Sequence, residues 1–118
     1  MGYTAINTMS TRILSPIFNV DILPKEMKNT FRFLPKIYHA SYSCDVSGQF
    51  NLYYKKLYDD TESVLPLILP KSNSYMKHKL PRFLLCREFR FEIIFQNFTF
   101  LELIEAGIMW MPMRIGVR

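Results

Sequence analysis

Two stretches of the chain alternate apolar and polar residues with a period of two. In REFRFEIIFQ, residues 87–96, Phe89, Phe91, Ile93 and Phe95 fall on one face and Glu88, Arg90, Glu92 and Gln96 on the other. A strand sends successive side chains to opposite faces, whereas a helix would scatter these phenylalanines around its axis, so the pattern predicts a strand that covers a core. KIYHASYSC, residues 36–44, alternates in the same way, with Tyr38, Ala40, Tyr42 and Cys44 on the more apolar face. The apolar run SVLPLILPK contains Pro66 and Pro70, which have no N–H to give to a ladder, and predicts an edge or bent strand.

Other stretches read as helices. DVSGQFNLYYKKLYDD sets Phe50, Tyr53, Tyr54 and Leu57 at helical spacing, with Lys55, Lys56, Asp59 and Asp60 towards the other side and Asp45 or Ser47 as the cap. Thr99 and Glu102 have the spacing of a capping box, which predicts a short helix to Ala106, closed by Gly107 in a left-handed conformation. MWMPMRIGVR then leaves as a final strand. The resulting order is βαββαβ, so the expected fold class is α+β: a small ferredoxin-like sandwich over residues 37–118. Residues 1–36 hold Pro16, Pro24 and Pro35 and keep neither period. They predict an extended arm whose apolar residues, Leu14, Ile17 and Ile22 among them, pack on the domain or on a neighbouring molecule, the neighbour being preferred.

At 118 residues the chain has material for one core. Its 49% apolar content is enough to offset the entropy lost on ordering, which excludes disorder throughout. Phe, Tyr, Ile, Asn, Lys and Met are plentiful while glycine numbers only four, a bias that an AT-rich coding genome produces and that points to an organelle or a protist. The net charge of +5 calls for an anionic partner: nucleic acid, acidic lipid or acidic protein. Cys44 and Cys86 lack metal-ligand spacing and read as free or buried thiols in a reducing compartment. No apolar run reaches the roughly 18 residues that a helical membrane span requires. The first twenty residues contain Arg12 and no acid, as a mitochondrial presequence does, without its arginine density.

The chain offers few groups for catalysis. His39, His78, Cys44 and Cys86 suggest no triad, and a Cys86–His78 dyad would lie across Pro81 without an oxyanion-hole motif. Neither a P-loop nor a Gly-x-Gly-x-x-Gly is present, so no catalytic residues, metal, cofactor or small-molecule substrate are expected.

The segment KSNSYMKHKLPRF, residues 71–83, carries the remaining chemistry. Lys71, Lys77, Lys79 and Arg82, with Arg87 just beyond, are cations that would displace counterions from a phosphate backbone. Asn73 and Ser74 can donate to phosphate or ribose oxygens, Tyr75 can stack on a base, and His78 adds a polar, protonatable ring. Leu80, Pro81 and Phe83 stiffen and anchor the segment, which is expected to project as a basic loop between two strands.

In that loop the chain resembles the small-subunit ribosomal protein S ten family, whose pattern there is roughly Ser-Pro-His-x-x-Lys-Lys-Ser-Arg-Glu-Gln-Phe. Ser72, Lys77 and Phe83 match, and His78 keeps a polar group at the second lysine. Asn73 and Ser74 replace Pro-His, Leu80 stands where the family has Arg, and Pro81 replaces an acid. The resemblance spans residues 37–118 and implies a structural, non-enzymatic protein of the small ribosomal subunit. Its loop would lie in ribosomal RNA beside neighbouring ribosomal proteins, in a divergent mitochondrial ribosome of the matrix. The alternative is an accessory, non-catalytic subunit of a mitochondrial inner-membrane respiratory complex, with the arm and IMWMPM packed on larger subunits.

Overall fold

The computed structural model describes residues 7–71, 75–81 and 84–115. Strands dominate: β1 (Met9–Leu14), β2 (Phe18–Asn19), β3 (Phe31–Cys44), β4 (Gly48–Lys55), β5 (Glu62–Leu69), β6 (Tyr75–Lys79), β7 (Glu88–Phe98) and β8 (Leu101–Arg114). Among the described residues, helix is confined to a 3-10 turn at Val20–Ile22 and the single turn α1, Lys25–Lys28.

All pairings are antiparallel. The first sheet has the order β1-β7-β4-β5, with β2 also on β7, and the second has the order β6-β3-β8. The two orders correspond. β5 leads into β6, β3 into β4 and β7 into β8, so one three-stranded ribbon bends at a corner and folds its apolar face onto itself. β3 and β8 pair from Phe31↔Arg114 to Cys44↔Leu101, and on the other side of the corner β4 and β7 resume from Gly48↔Phe95 to Lys55↔Glu88.

The core fills the fold of this ribbon. From the second sheet come Tyr38, Ala40, Tyr42 and Cys44, the face predicted for that strand; from the first come Phe50, Leu52, Phe89, Ile93 and Phe95. Ring centroids lie 5.1 Å apart for Tyr38–Phe50, 5.5 Å for Tyr42–Phe95 and 4.7 Å for Phe50–Phe91. Each such pair contributes about 0.5–1.5 kcal/mol beyond its buried area. The two tyrosines also tie the halves together, the Tyr42 hydroxyl donating to the Pro70 carbonyl and that of Tyr38 to Ile68 O at 3.5 Å. Burial pushes the Tyr42 hydroxyl up to about 12, which keeps it a donor.

One carboxylate clasps two of the corners. Asp45, between β3 and β4, accepts from Thr99 Oγ1 at 2.7 Å, Thr99 N at 3.0 Å and Phe100 N at 3.2 Å, between β7 and β8. The Thr99 hydroxyl above all, with the two amides, holds the Asp45 carboxyl below the usual aspartate range. Asn97 takes a left-handed φ of 58° just before, a conformation asparagine tolerates.

These strands replace the βαββαβ order expected from the sequence: the chain is not an α+β ferredoxin-like sandwich. Residues 48–55 are a strand whose helical spacing was incidental. Phe50 and Leu52 enter the core and Tyr54 packs against it, while Gln49, Asn51, Tyr53 and Lys55 alternate with them on the other face; the period of two is present in the sequence, and the helical spacing of Phe50, Tyr53, Tyr54 and Leu57 coincided with it. The predicted second helix is the start of β8. Ile104 is an extra residue between Ser41↔Glu105 and Tyr42↔Leu103, and this bulge broke the alternation. Thr99 caps no helix but donates to Asp45, and Gly107 lies mid-strand opposite His39. Nor does Tyr75–Lys79 project as a loop; it pairs with β3. The N-terminal segment is not a detached arm, since Met9–Leu14 and Phe18–Asn19 pair with β7. The edge strand at Glu62–Leu69 and the alternating strand at Glu88–Phe98 stand as read.

Gly48 opens β4 where the Phe95 ring crosses it. A Cβ there would lie 2.6 Å from the ring and 2.7 Å from Ile94 O. Gly48→Ala is therefore expected to destabilise the fold by about 1–3 kcal/mol, the cost of forcing a packed ring or a ladder carbonyl aside. A lowered urea midpoint at unchanged slope is the expected result.

Candidate nucleic-acid interface

β6 is held on its inner side by the core. Met76 packs on the buried cluster with its sulfur 3.7 Å from the Tyr42 hydroxyl, and Leu80, just past the strand, is buried with its N–H donating to Lys36 O at 2.8 Å. These anchors fix the register Ser41↔Tyr75, His39↔Lys77 and Ile37↔Lys79. With a period of two, Tyr75, Lys77 and Lys79 then stand in one row on the outer face of the second sheet, all exposed, at intervals of about 7 Å. His78 points to the other face, where its ring stacks on Tyr38 at 5.6 Å. Among the described residues no carboxylate lies within ion-pair distance of Lys71, Lys77 or Lys79.

Beside the row, His39 fills the space that Gly107 leaves open: a Cβ on Gly107 would sit 3.1 Å from His39 Nε2. Its Nδ1 lies 3.6 Å from Glu105 Oε1, an ion-pair distance when the imidazole carries its second proton, and its ring is 6.2 Å from that of Tyr75. The outer face thus grades from cationic at β6, through Ser41, Ser43 and His39 on β3, to Glu102 and Glu105 on β8.

The other residues expected at the site are not gathered here. Lys71 is exposed just beyond β5, before β6 begins. Asn73, Ser74 and Arg82 lie outside the described residues, as do Ser72 and Phe83. Arg87 sits at the start of β7, bonded to Asp60, and Arg90 is bound by Glu62 at 2.9 Å and lies 4.2 Å over the Tyr53 ring. The basic run seen in the sequence is therefore divided. Its arginines at 87 and 90 are held by Asp60 and Glu62, and Lys77 and Lys79 remain unmatched on β6, with Tyr75 heading the same strand.

No catalytic constellation forms from the described histidines and cysteines. Cys86 is fully buried against Phe33, whereas His78 lies beside Tyr38, five residues and roughly 17 Å further along β3. Burial pushes the Cys86 thiol up to about 12, away from the thiolate a nucleophile needs. A shallow groove of 310 Å³ lined by Leu34, Pro35, Lys36, Leu80, Pro81 and Met113 shows no carboxylate, imidazole or thiol among these residues. Among the described residues no three His, Cys, Asp or Glu side chains group to hold a metal, and no helix is long and apolar enough to cross a membrane.

The sequence did not disclose a second polar cluster, on the outer face of the first sheet. Glu92 is only 3% exposed; it accepts from Arg12 Nε at 2.6 Å, Tyr53 OH at 2.6 Å and Asn51 Nδ2 at 3.1 Å. Two of these donors share Oε1 and one takes Oε2, and Arg12 fastens β1 to β7. The cluster ties β1, β4 and β7 together, a structural role.

No family model, curated protein or solved structure matches the chain.

Burial pulls the Glu92 pKa upward, but the hydrogen bonds from Tyr53, Arg12 and Asn51 and the Arg12 charge together hold it below the ordinary value. A depressed folded-state pKa stabilises above the unfolded value of about 4.3 and loses that contribution as pH falls through the folded value. Glu92→Gln should cost about 1–3 kcal/mol at pH 7, from the weakened charge-assisted bonds. It should also flatten the acid limb of the stability–pH curve below pH about 4, which denaturant titrations at successive pH values would record.

Proposed function

We propose that this chain is a non-catalytic RNA-binding subunit of a ribonucleoprotein, which touches phosphates through Lys77 and Lys79 and stacks Tyr75 on an exposed base. The observation that carries the reading is the row itself: two unmatched ammonium groups and an exposed aromatic ring on one face of a strand that is anchored on its opposite face by Met76 against the core. A fixed row loses little entropy when it docks, and aromatic stacking beside cations is how sheet surfaces hold single-stranded RNA. Lys71, beyond the end of β5, extends the positive potential.

In this reading the assembly is the small subunit of a mitochondrial ribosome. The likeness to the ribosomal S ten family rested on a βαββαβ order that the chain does not have, so the assignment stands on the surface chemistry and the AT-type composition alone. Lysines on an edge strand also repel unwanted strand pairing, a role that needs charge but not Tyr75. The second reading, an accessory subunit of an inner-membrane respiratory complex, is favoured by the exposed Met109, Trp110, Met111 and Met113 on β8.

Charge reversal separates these roles. Lys77→Glu with Lys79→Glu is expected to weaken binding to ribosomal RNA and to reduce the slope of log K against log salt by about 0.7 for each phosphate no longer neutralised. Tyr75→Ala should weaken binding by about 1–3 kcal/mol without changing that slope. Co-sedimentation of tagged protein with ribosomal particles, abolished by ribonuclease, is expected. Unchanged RNA affinity in the double reversal, or sedimentation with respiratory enzymes that ribonuclease leaves intact, would contradict the RNA reading.

A further inference from the structure

The first sheet ends in β1, which covers the outer edge of β7; among the described residues the second sheet has no counterpart on β8. One side of this 14-residue strand is therefore unpaired. Hydrogen-bond parity tells which main-chain groups it presents. Ile115 N–H donates to Thr30 O and Leu80 N–H to Lys36 O. Alternation from these two bonds, carried through the registers of β3, turns the groups of Met109, Met111 and Met113 towards β3 and those of Ala106, Ile108 and Trp110 outwards. Pro112 falls in the outward set, where its missing N–H costs no bond to β3.

Along this edge Phe100, Ile104, Met109, Trp110, Met111 and Met113 are 38–69% exposed. At roughly 200 Å² per large side chain they leave about 600 Å² of apolar surface in total, Met109, Met111 and Met113 on one face of the strand and Trp110, whose ring meets Phe33, on the other. Each partner in a standard interface gives about 800 Å², and main-chain edges and flanking residues supply the remainder.

We infer that β8 pairs antiparallel with β8 of a second copy of this chain, about a two-fold axis at Ile108, to form one continuous sheet of both second sheets. Ala106, Ile108 and Trp110 of the two copies exchange about six main-chain hydrogen bonds. The window Ala106–Met111 carries no charge, so no like charges meet at the axis. The antiparallel arrangement lays the Phe100 and Ile104 end of each copy beside the Met111 and Met113 end of the other, so that both apolar ends are covered.

Charge also selects β8 over the other edge of the same sheet. Joining through β6 would set Lys77 and Lys79 against their own counterparts. Joining through β8 places the two lysine rows at opposite margins, five strand spacings or about 24 Å apart, beyond the Debye length of about 8 Å. The inference does not rest on RNA binding, and its test contains no RNA. If both hold, the dimer offers two parallel basic margins to one polyanion.

The register supplies the test, because Glu105 lies opposite Met111 of the second copy, both on the outer face. Sedimentation of the full chain from about 1 to 100 μM is expected to show a dimer. Met111→Glu sets two carboxylates opposite each other and should weaken the dimer at least tenfold. Met111→Lys, equally polar in the monomer, sets an ammonium opposite Glu105 and should keep the dimer. Glu105→Lys combined with Met111→Glu should restore it. Circular dichroism and melting of each variant confirm that the monomer is folded. A wild type that is monomeric at every concentration, or equal effects of Met111→Glu and Met111→Lys, would overturn the inference.

Discussion

The ribbon of three strands has to keep one register through its corner, because both halves of the core are faces of the same strands. Tyr38 and Tyr42 of β3 meet Phe50 of β4 and Phe95 of β7 only when the bend falls at Asp45–Ser47 in one strand and at Thr99–Phe100 in its neighbour. A slip of one residue would turn Phe89, Ile93 and Phe95 to solvent and bring Arg90 and Ile94 inside. Asp45 acts where such a slip would begin, binding the β7–β8 corner with one carboxylate, and Gly48 lets the Phe95 ring cross immediately after the bend. The locations of all exposed groups follow from this one register.

That dependence reaches the surface. Lys77, Lys79 and Tyr75 share a face because Met76 and Leu80 are committed to the core, so the row is a by-product of packing and is held rigid by it. β1 runs beside β7 from Met9↔Phe98 to Leu14↔Glu92, on the first sheet's side of the corner, and among the described residues no strand takes the corresponding fourth position of the second sheet. A cationic margin on β6 and an uncharged, methionine-rich margin on β8 are thus the two edges of one sheet, and their chemistry differs in the way that suits two different partners.

Several parts of this arrangement were legible in the sequence. β3 and β7 each bury one face against the core, and their alternation reports it directly, down to the buried set Tyr38, Ala40, Tyr42 and Cys44. The prolines of β5 marked an edge strand. β4 carried its own period of two, Gln49, Asn51, Tyr53 and Lys55 against Phe50, Leu52 and Tyr54, but Tyr53, an aromatic on the outer face beneath Arg90, also completes a helical spacing with Phe50, Tyr54 and Leu57, and the two periods competed. β8 hid its period behind the Ile104 bulge, and the capping-box spacing of Thr99 and Glu102 described a hydroxyl whose partner, Asp45, lies 54 residues away. The basic segment looked continuous in sequence, yet Arg87 and Arg90 belong to the opposite sheet and answer to Asp60 and Glu62. Local spacing cannot carry interactions of that range, and Arg12 with Glu92, 80 residues apart, is the extreme case.

Whether Tyr75–Lys79 is a strand of the second sheet decides most of this account, and amide hydrogen exchange on the isolated protein reads it directly. Because Leu80 N–H donates to Lys36 O, the amides of Met76 and His78 face β3 as well, while those of Tyr75, Lys77 and Lys79 face solvent. Alternating slow and fast exchange from residue 75 to residue 80 is the result expected. Uniformly fast exchange across these six amides would show a free loop, and the fixed row of lysines would disappear with the strand.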